Sequence, residues 1–118
     1  MNNWVVLLLI GLFVGIAGGF TGLGGGFILV PILLFLGLEA QRSVGTSFAV
    51  ILMISVSALV AHSKLQNIDY RLGILIGLGG IVGAQIGARL VELVPTLAFK
   101  RIFGIILMLI ALRMLFQK

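Results

Sequence analysis

Backbone groups, rather than charged side chains, are the groups best placed to do chemistry in this chain. The segment 18–31 reads GGFTGLGGGFILVP and places six glycines and a proline inside a long apolar stretch. Adjacent glycines at 24, 25 and 26 disfavour a continuous helix, so backbone N–H groups there are expected to lack intrahelical partners. Together with the N-terminus of a new helix near Phe27, such N–H groups form an anion site that needs no charged side chain.

Two hydroxyl side chains form a second polar group. The segment 40–47 reads AQRSVGTS, in which Ser43 is a candidate N-cap. Gly45, Thr46 and Ser47 would then occupy the first turns of the following helix. Two hydroxyls beside a glycine at a helix start suit coordination of an oxyanion. The alternative is that the hydroxyls bond back to their own helix, as Ser and Thr commonly do in membranes.

His62 and Gln85 are two further candidates. His62 ends an apolar run, and a histidine can relay a proton because its charge changes near neutral pH. A histidine at a helix end more often satisfies terminal backbone carbonyls, and we favour that interpretation. Gln85 lies in the middle of an apolar segment, so its amide needs a partner on a neighbouring helix or on a substrate.

The glycines interrupt an apolar stretch that is too long for one crossing of a bilayer. As a single helix, residues 4–38 would be about 52 Å long, whereas a bilayer core is about 30 Å thick. Unpaired backbone at membrane depth is tolerated only where protein buries it or where it lines a watery cavity. The break therefore predicts a site, and transporters often hold their substrates at such breaks.

Composition places the chain in a membrane. Of its 118 residues, 61% are hydrophobic and 9% are charged, and the mean hydropathy is +1.33. A soluble domain of this size cannot bury so much apolar surface, so residues 1–118 are expected to form a single integral membrane domain. Cysteine is absent, which excludes disulfides and thiolate metal sites, and no motif indicates a cofactor or a metal. The net charge of +5 is better matched by anionic lipid headgroups than by nucleic acid.

Five apolar segments predict an all-α membrane protein with four to five transmembrane segments. They cover roughly 4–20, 26–38, 43–61, 72–91 and 97–116. Four of them have the length of a transmembrane helix. The segment 26–38 would be only about 20 Å long, so it is a half-helix, a re-entrant limb or a short tilted crossing.

The charged residues favour an anionic or neutral substrate, and they do not determine the orientation of the chain in the membrane. The first three apolar segments contain no acid or base, whereas a cation exporter is expected to carry a buried acid. The basic residues divide equally between the two sides of the membrane, with Arg42, Arg89, Lys100 and Arg101 on one side and Lys64, Arg71, Arg113 and Lys118 on the other. This balance fits a single topology with misassigned helix ends, or insertion in both orientations with antiparallel pairing.

Several motifs together resemble the sulfite exporter TauE/SafE family. They are GLGGGFILVPIL at 22–33, AQRSVGTS at 40–47 and GIVGAQIGA at 80–88, with His62 and the turn 67–69 between them in the same order. The resemblance implies a transporter of small sulfur oxyanions or organosulfonates, such as sulfite, in the inner membrane of a bacterium or archaeon. Carried over residue by residue, it implies substrate contacts at Gly22, Gly24, Gly25, Gly26, Gly45, Thr46, Ser47, His62 and Gln85.

The chain departs from the family in its length. Family members are typically about twice as long and contain two related halves, whereas one set of motifs is present here. The resemblance therefore implies one repeat of a two-repeat transporter, completed by homodimerisation and working by alternating access. A passive anion channel would use the same residues without saturable counterflow. A non-transporting scaffold or a small subunit of a larger complex would move nothing alone. No arrangement of nucleophile, base and metal ligands suggests an enzyme.

Overall fold

The computed structural model describes residues 3–23 and 25–117, and these residues contain five α-helices joined by short connections. The helices are α1 (Trp4–Thr21), α2 (Gly26–Phe35), α3 (Ala40–Lys64), α4 (Tyr70–Val91) and α5 (Thr96–Leu115). The all-α architecture expected from the sequence is confirmed.

Three of the helices are long and apolar enough to cross a membrane. These are α1, α3 and α4, with 18, 25 and 22 residues. The short helix α2 has 10 residues, and α5 has 20 residues but carries Lys100, Arg101 and Arg113. The structure therefore defines a helical membrane protein with three clear candidate spans.

The two helices that flank the glycine-rich segment pack side by side in opposite directions. Val14, in the second half of α1, is fully buried and packs against Leu29 and Leu33 of α2. Near the other end of this contact, Leu7 of α1 and Leu36 just beyond α2 line the same small cavity. After the break, α2 therefore runs back towards the end of the bundle where α1 begins.

Hydrogen bonds join three helices at that end of the bundle. The backbone N–H of Ala40, the first residue of α3, donates to Thr96 Oγ1 at 3.1 Å. The amide Nε2 of Gln41 donates to the carbonyl oxygens of Val91 and Val94, both at 2.8 Å. The start of α3, the end of α4 and the start of α5 are thereby held together.

The expectation that Ser43 caps α3 is wrong. The helix begins at Ala40, three residues earlier, because the hydroxyl of Thr96 accepts a hydrogen bond from its first N–H group. Ser43 is consequently an interior helical residue. It is fully buried, and its Oγ has no hydrogen-bond partner within the described residues.

Helix α4 is attached at its ends and exposed along its length. Its end is held through Gln41, and at its start the hydroxyl of Tyr70 lies 2.8 Å from Ser63 Oγ at the end of α3. None of the residues of α4 is buried. This helix therefore presents its glycine-rich faces outward, away from the core formed by α1, α2 and α3.

Candidate functional site

Two glycines form the break between α1 and α2 by adopting left-handed backbone conformations. Gly22 has φ 79° and ends α1, and its N–H donates to the Gly18 carbonyl at 2.8 Å. Gly25 has φ 86° and precedes α2, where its carbonyl accepts from the N–H groups of Ile28 and Leu29. Side chains other than glycine rarely adopt these conformations, so the sequence places glycine where the backbone must turn.

Gly25 is also required by the space around it. A Cβ atom placed there would lie 2.5 Å from Val14 Cγ1 and 3.1 Å from the Val14 carbonyl oxygen. At Gly26 the corresponding contact is 2.9 Å to Ile51 Cδ1, the flexible tip of a side chain. The start of α2 is thus wedged between α1 and α3. Gly24, also expected at the site, lies outside the described residues.

A groove of about 430 Å³ lies beside the break, between the end of α1, the second half of α3 and the connection to α4. Its lining residues are Gly18, Gly19, Phe20, Thr21, Gly22, Ile54, Ser55, Ala58, Leu59, His62, Asn67 and Ile68. None of these side chains is acidic, and the polar ones are hydroxyl, amide and imidazole groups. Such a lining accommodates a small anionic or neutral polar molecule.

His62 connects three parts of this groove. Its Nε2 lies 3.1 Å from the carbonyl oxygen of Gly19 in α1, and its Nδ1 lies 3.1 Å from Asn67 Nδ2. An amide nitrogen can only donate, so Nδ1 accepts and Nε2 carries the proton that it donates to Gly19. His62 therefore satisfies a helix-terminal carbonyl, as favoured from the sequence, although the carbonyl belongs to α1 rather than to its own helix.

Thr21 and Asn67 belong to the groove and were not among the residues selected from the sequence. Thr21 Oγ1 donates to the Ala17 carbonyl at 2.7 Å and accepts from the Leu23 N–H at 3.3 Å. It therefore supports the backbone as it leaves α1. Asn67 orients His62. Thr21 stands directly before the first glycine of the break, a position that could have identified it, whereas the role of Asn67 depends on a loop conformation.

The second polar group lies away from this groove. Thr46 is 16 residues before His62 on the same helix, so the two are about 24 Å apart along its axis. Thr46 lines a separate, largely apolar cavity of about 200 Å³ between α1, α2 and α3. Ser47 is buried, and its hydroxyl donates to the Ser43 carbonyl at 2.7 Å, which is the intrahelical alternative considered for it. Gly45 is exposed.

Gln85 lies apart from both groups of residues. It is exposed on α4, at about two thirds of the length of that helix. The single chain therefore brings Gly22 and His62 together in one groove and leaves Thr46 and Gln85 elsewhere.

These features together indicate a membrane transporter. Many transporters hold their substrates where helices are interrupted within the membrane, and here a glycine-rich interruption lies beside a groove whose polar side chains are hydroxyl, amide and imidazole groups. The chain belongs to the sulfite exporter TauE/SafE family, whose model matches residues 7–118. It is a membrane protein of a transporter family.

Individual relatives carry the same description. Probable membrane transporter protein YunE from Bacillus subtilis is 33% identical over 98% of this chain and 45% of its own length. A probable membrane transporter protein from Methanocaldococcus jannaschii is 34% identical over 92% of this chain and 43% of its own length. The chain therefore spans less than half the length of these relatives. No solved structure matches it.

Proposed function

We propose that this chain transports small sulfur-containing anions, such as sulfite or organosulfonates, across the cell inner membrane. The observation that carries the proposal is the break at Gly22 and Gly25, which lies beside a groove without acidic side chains. Family membership supports transport as the general activity. The anionic substrate class is supported by the lining of the groove, since an acid would be expected at a cation site.

The proposed mechanism is alternating access around the broken helix. Backbone N–H groups at the break and the N-terminal end of α2 supply partial positive charge, which binds an anion weakly enough to release it again. His62 and Thr21 lie at the same groove and add polar contacts. The groove is lined by the end of α1, the second half of α3 and the connection to α4, so a movement of α4 and its connection relative to α1 would change access to it.

We further propose that two copies assemble, because one copy leaves the candidate residues divided. The helix directions favour an antiparallel pair in this proposal, because α1, α3 and α5 run one way through the bundle and α2 and α4 run the other way. A chain whose first and last helices run the same way ends on the side opposite to its start, so a second unit following it would be inverted. The balanced distribution of basic residues is compatible with this arrangement.

An antiparallel pair would also bring the two groups of candidate residues to the same depth. In one copy, the groove at His62 and the exposed Gly45–Thr46 turn lie at opposite ends of α3. Inverting the second copy places its exposed Gly45 and Thr46 at the level of the first copy's break. In this proposal the substrate site combines Gly22, Gly24, Gly25, Gly26 and His62 of one copy with Gly45 and Thr46 of the other, and Gln85 contacts the substrate or the second copy. The buried Ser47, bonded to its own helix, supports Thr46 from behind.

The test is sulfite flux into liposomes that contain only this purified chain. Saturable flux with counterflow is expected, and flux without counterflow would indicate a passive channel instead. Gly22→Asn adds an amide to the groove in a residue type that tolerates the left-handed conformation, so it is expected to reduce flux without unfolding the protein. Gly73→Ala on α4, where an added Cβ meets nothing within 4 Å, is the matched control and is expected to leave flux unchanged.

A second candidate is a subunit that acts only with a different partner chain. The observation in its favour is α4, which has no buried residue although it is held at both ends. No flux of any anion from folded, reconstituted protein would contradict the transporter proposal and favour this alternative.

A further inference from the structure

A second groove lies between α2 and α5, outside the region of the proposed substrate site. It has a volume of about 280 Å³ and is lined by Pro31, Leu34, Phe35, Lys100, Phe103, Gly104 and Leu107. Lys100 is the one charged residue among them. The remaining residues form an apolar surface, so the groove combines a single cation with a hydrocarbon-like wall.

Lys100 and Leu107 mark the two ends of this groove relative to the membrane. Lys100 is in the second turn of α5, close to the end of the bundle where Thr96 contacts Ala40. Leu107 lies about 10 Å further along the helix. The groove therefore has its charge near the membrane surface and its apolar wall extending towards the membrane interior.

The same end of the bundle carries an excess of positive charge. Arg42, Arg89 and Arg101 lie near this end together with Lys100, whereas Glu39 and Glu92 are the acids there. Basic residues at the membrane surface attract anionic lipid headgroups. Both the positive charge at this end of the groove and its apolar wall therefore fit an anionic lipid.

We propose that the groove between α2 and α5 binds an anionic phospholipid, with the lipid phosphate on the Lys100 ammonium group and an acyl chain along Gly104 and Leu107. Gly104 contributes to the open space, since a Cβ atom placed there would meet no atom within 4 Å. A lipid held here lies against both α2 and α5. This inference does not depend on the proposed transport activity, because its residues are distinct from those of the substrate groove.

The test measures lipid that stays bound to the purified chain. The protein is extracted from vesicles of equal parts phosphatidylglycerol and phosphatidylcholine, and bound lipid is measured by mass spectrometry of the intact complex. Selective retention of phosphatidylglycerol is expected. Lys100→Gln is expected to weaken that binding about tenfold, since a hydrogen bond to a charged group is lost. Arg101→Gln removes the neighbouring charge, which does not line the groove, and is expected to have a smaller effect.

A second pair of variants tests the apolar wall. Gly104→Leu fills the groove and is expected to release the lipid, whereas Gly73→Leu adds the same side chain to α4 and is expected to retain it. Equal retention of both lipids, or an unchanged affinity in Lys100→Gln, would overturn the proposal. So would a change of oligomeric state in Gly104→Leu without loss of lipid, because the groove would then be covered by a second copy.

Discussion

Replacing Gly25 by alanine tests whether the break is fixed by conformation and by space together. The left-handed conformation at φ 86° costs a residue with a Cβ about 1–2 kcal/mol. The added atom would also lie 2.5 Å from Val14 Cγ1 and 3.1 Å from a helical carbonyl oxygen. Overpacking of this kind costs about 1–3 kcal/mol, so the expected decrease in the free energy of unfolding is about 2–5 kcal/mol.

The matched variant is Gly22→Ala. Gly22 has nearly the same φ, 79°, but a Cβ atom there would meet nothing within 4 Å. The expected decrease in the free energy of unfolding of Gly22→Ala is therefore only the conformational contribution, about 1–2 kcal/mol. The effect of alanine on the unfolded chain is common to both variants and cancels in the comparison. The difference between Gly25→Ala and Gly22→Ala isolates the steric contribution.

Val14 gives an independent check on that contribution. A valine in a helix has one strongly preferred rotamer, and this one is fully buried, so Cγ1 cannot easily move aside. Val14→Ala removes Cγ1 and is expected to recover part of the loss in the double variant with Gly25→Ala. The assay is loss of helical circular dichroism during denaturation in detergent, analysed as a double-mutant cycle.

The reasoning would be refuted by equal destabilisation in Gly25→Ala and Gly22→Ala. It would also fail if Val14→Ala and Gly25→Ala were additive, because the coupling between the two positions would then be absent. Either result would mean that α2 moves away from α1 at little cost and that the break is not wedged in place.

Three further predictions concern hydrogen bonds between helices, the first two measured by the same denaturation assay. Thr96→Val removes the acceptor for the Ala40 N–H and should lower the free energy of unfolding by about 0.5–2 kcal/mol, whereas Thr96→Ser keeps a hydroxyl and should retain most of the wild-type stability. Equal losses in the two variants would argue against a capping hydroxyl. Gln41→Met removes two bonds to carbonyl groups and should cost about 1–3 kcal/mol, and an unchanged midpoint would contradict those contacts. His62→Leu should increase amide hydrogen exchange at the end of α1 more than Asn67→Ala does, because only His62 bonds to α1; the reverse order would refute the assigned roles.

The helices could be predicted from the sequence more accurately than their ends. The apolar runs predict all five helices, because backbone in a membrane must satisfy its hydrogen bonds within the segment, which a helix does. The start of α3 was placed three residues too late, since its acceptor, Thr96, is 56 residues further along the chain. The end of α2 was placed too late because Gly37, with φ 97°, closes that helix through the bond from the Leu38 N–H to the Leu33 carbonyl.

The part of the candidate site formed by neighbouring residues could be predicted from the sequence, whereas the contacts between residues distant in the chain could not. The glycine break is encoded within a few adjacent residues, so its position followed from the sequence. The contact of His62 with Gly19 joins residues 43 positions apart and depends on how α1 packs on α3. For Ser47 two interpretations were open, and a bond within its own helix is observed. Whether Thr46 shares a site with the break depends on an assembly that one chain does not contain.

The hydrogen bonds of Gln41 and Thr96 tie the start of α3, the end of α4 and the start of α5 together at one end of the bundle. At the other end α4 is held through the hydroxyl pair of Tyr70 and Ser63, so a rotation of α4 that breaks this pair would turn about the end near Gln41. Helix α4 is about 33 Å long, so a swing of about 10° would displace its far end by about 6 Å. That far end is the one where the glycine break and His62 lie. A small rotation of α4 therefore produces its largest displacement at the candidate substrate groove.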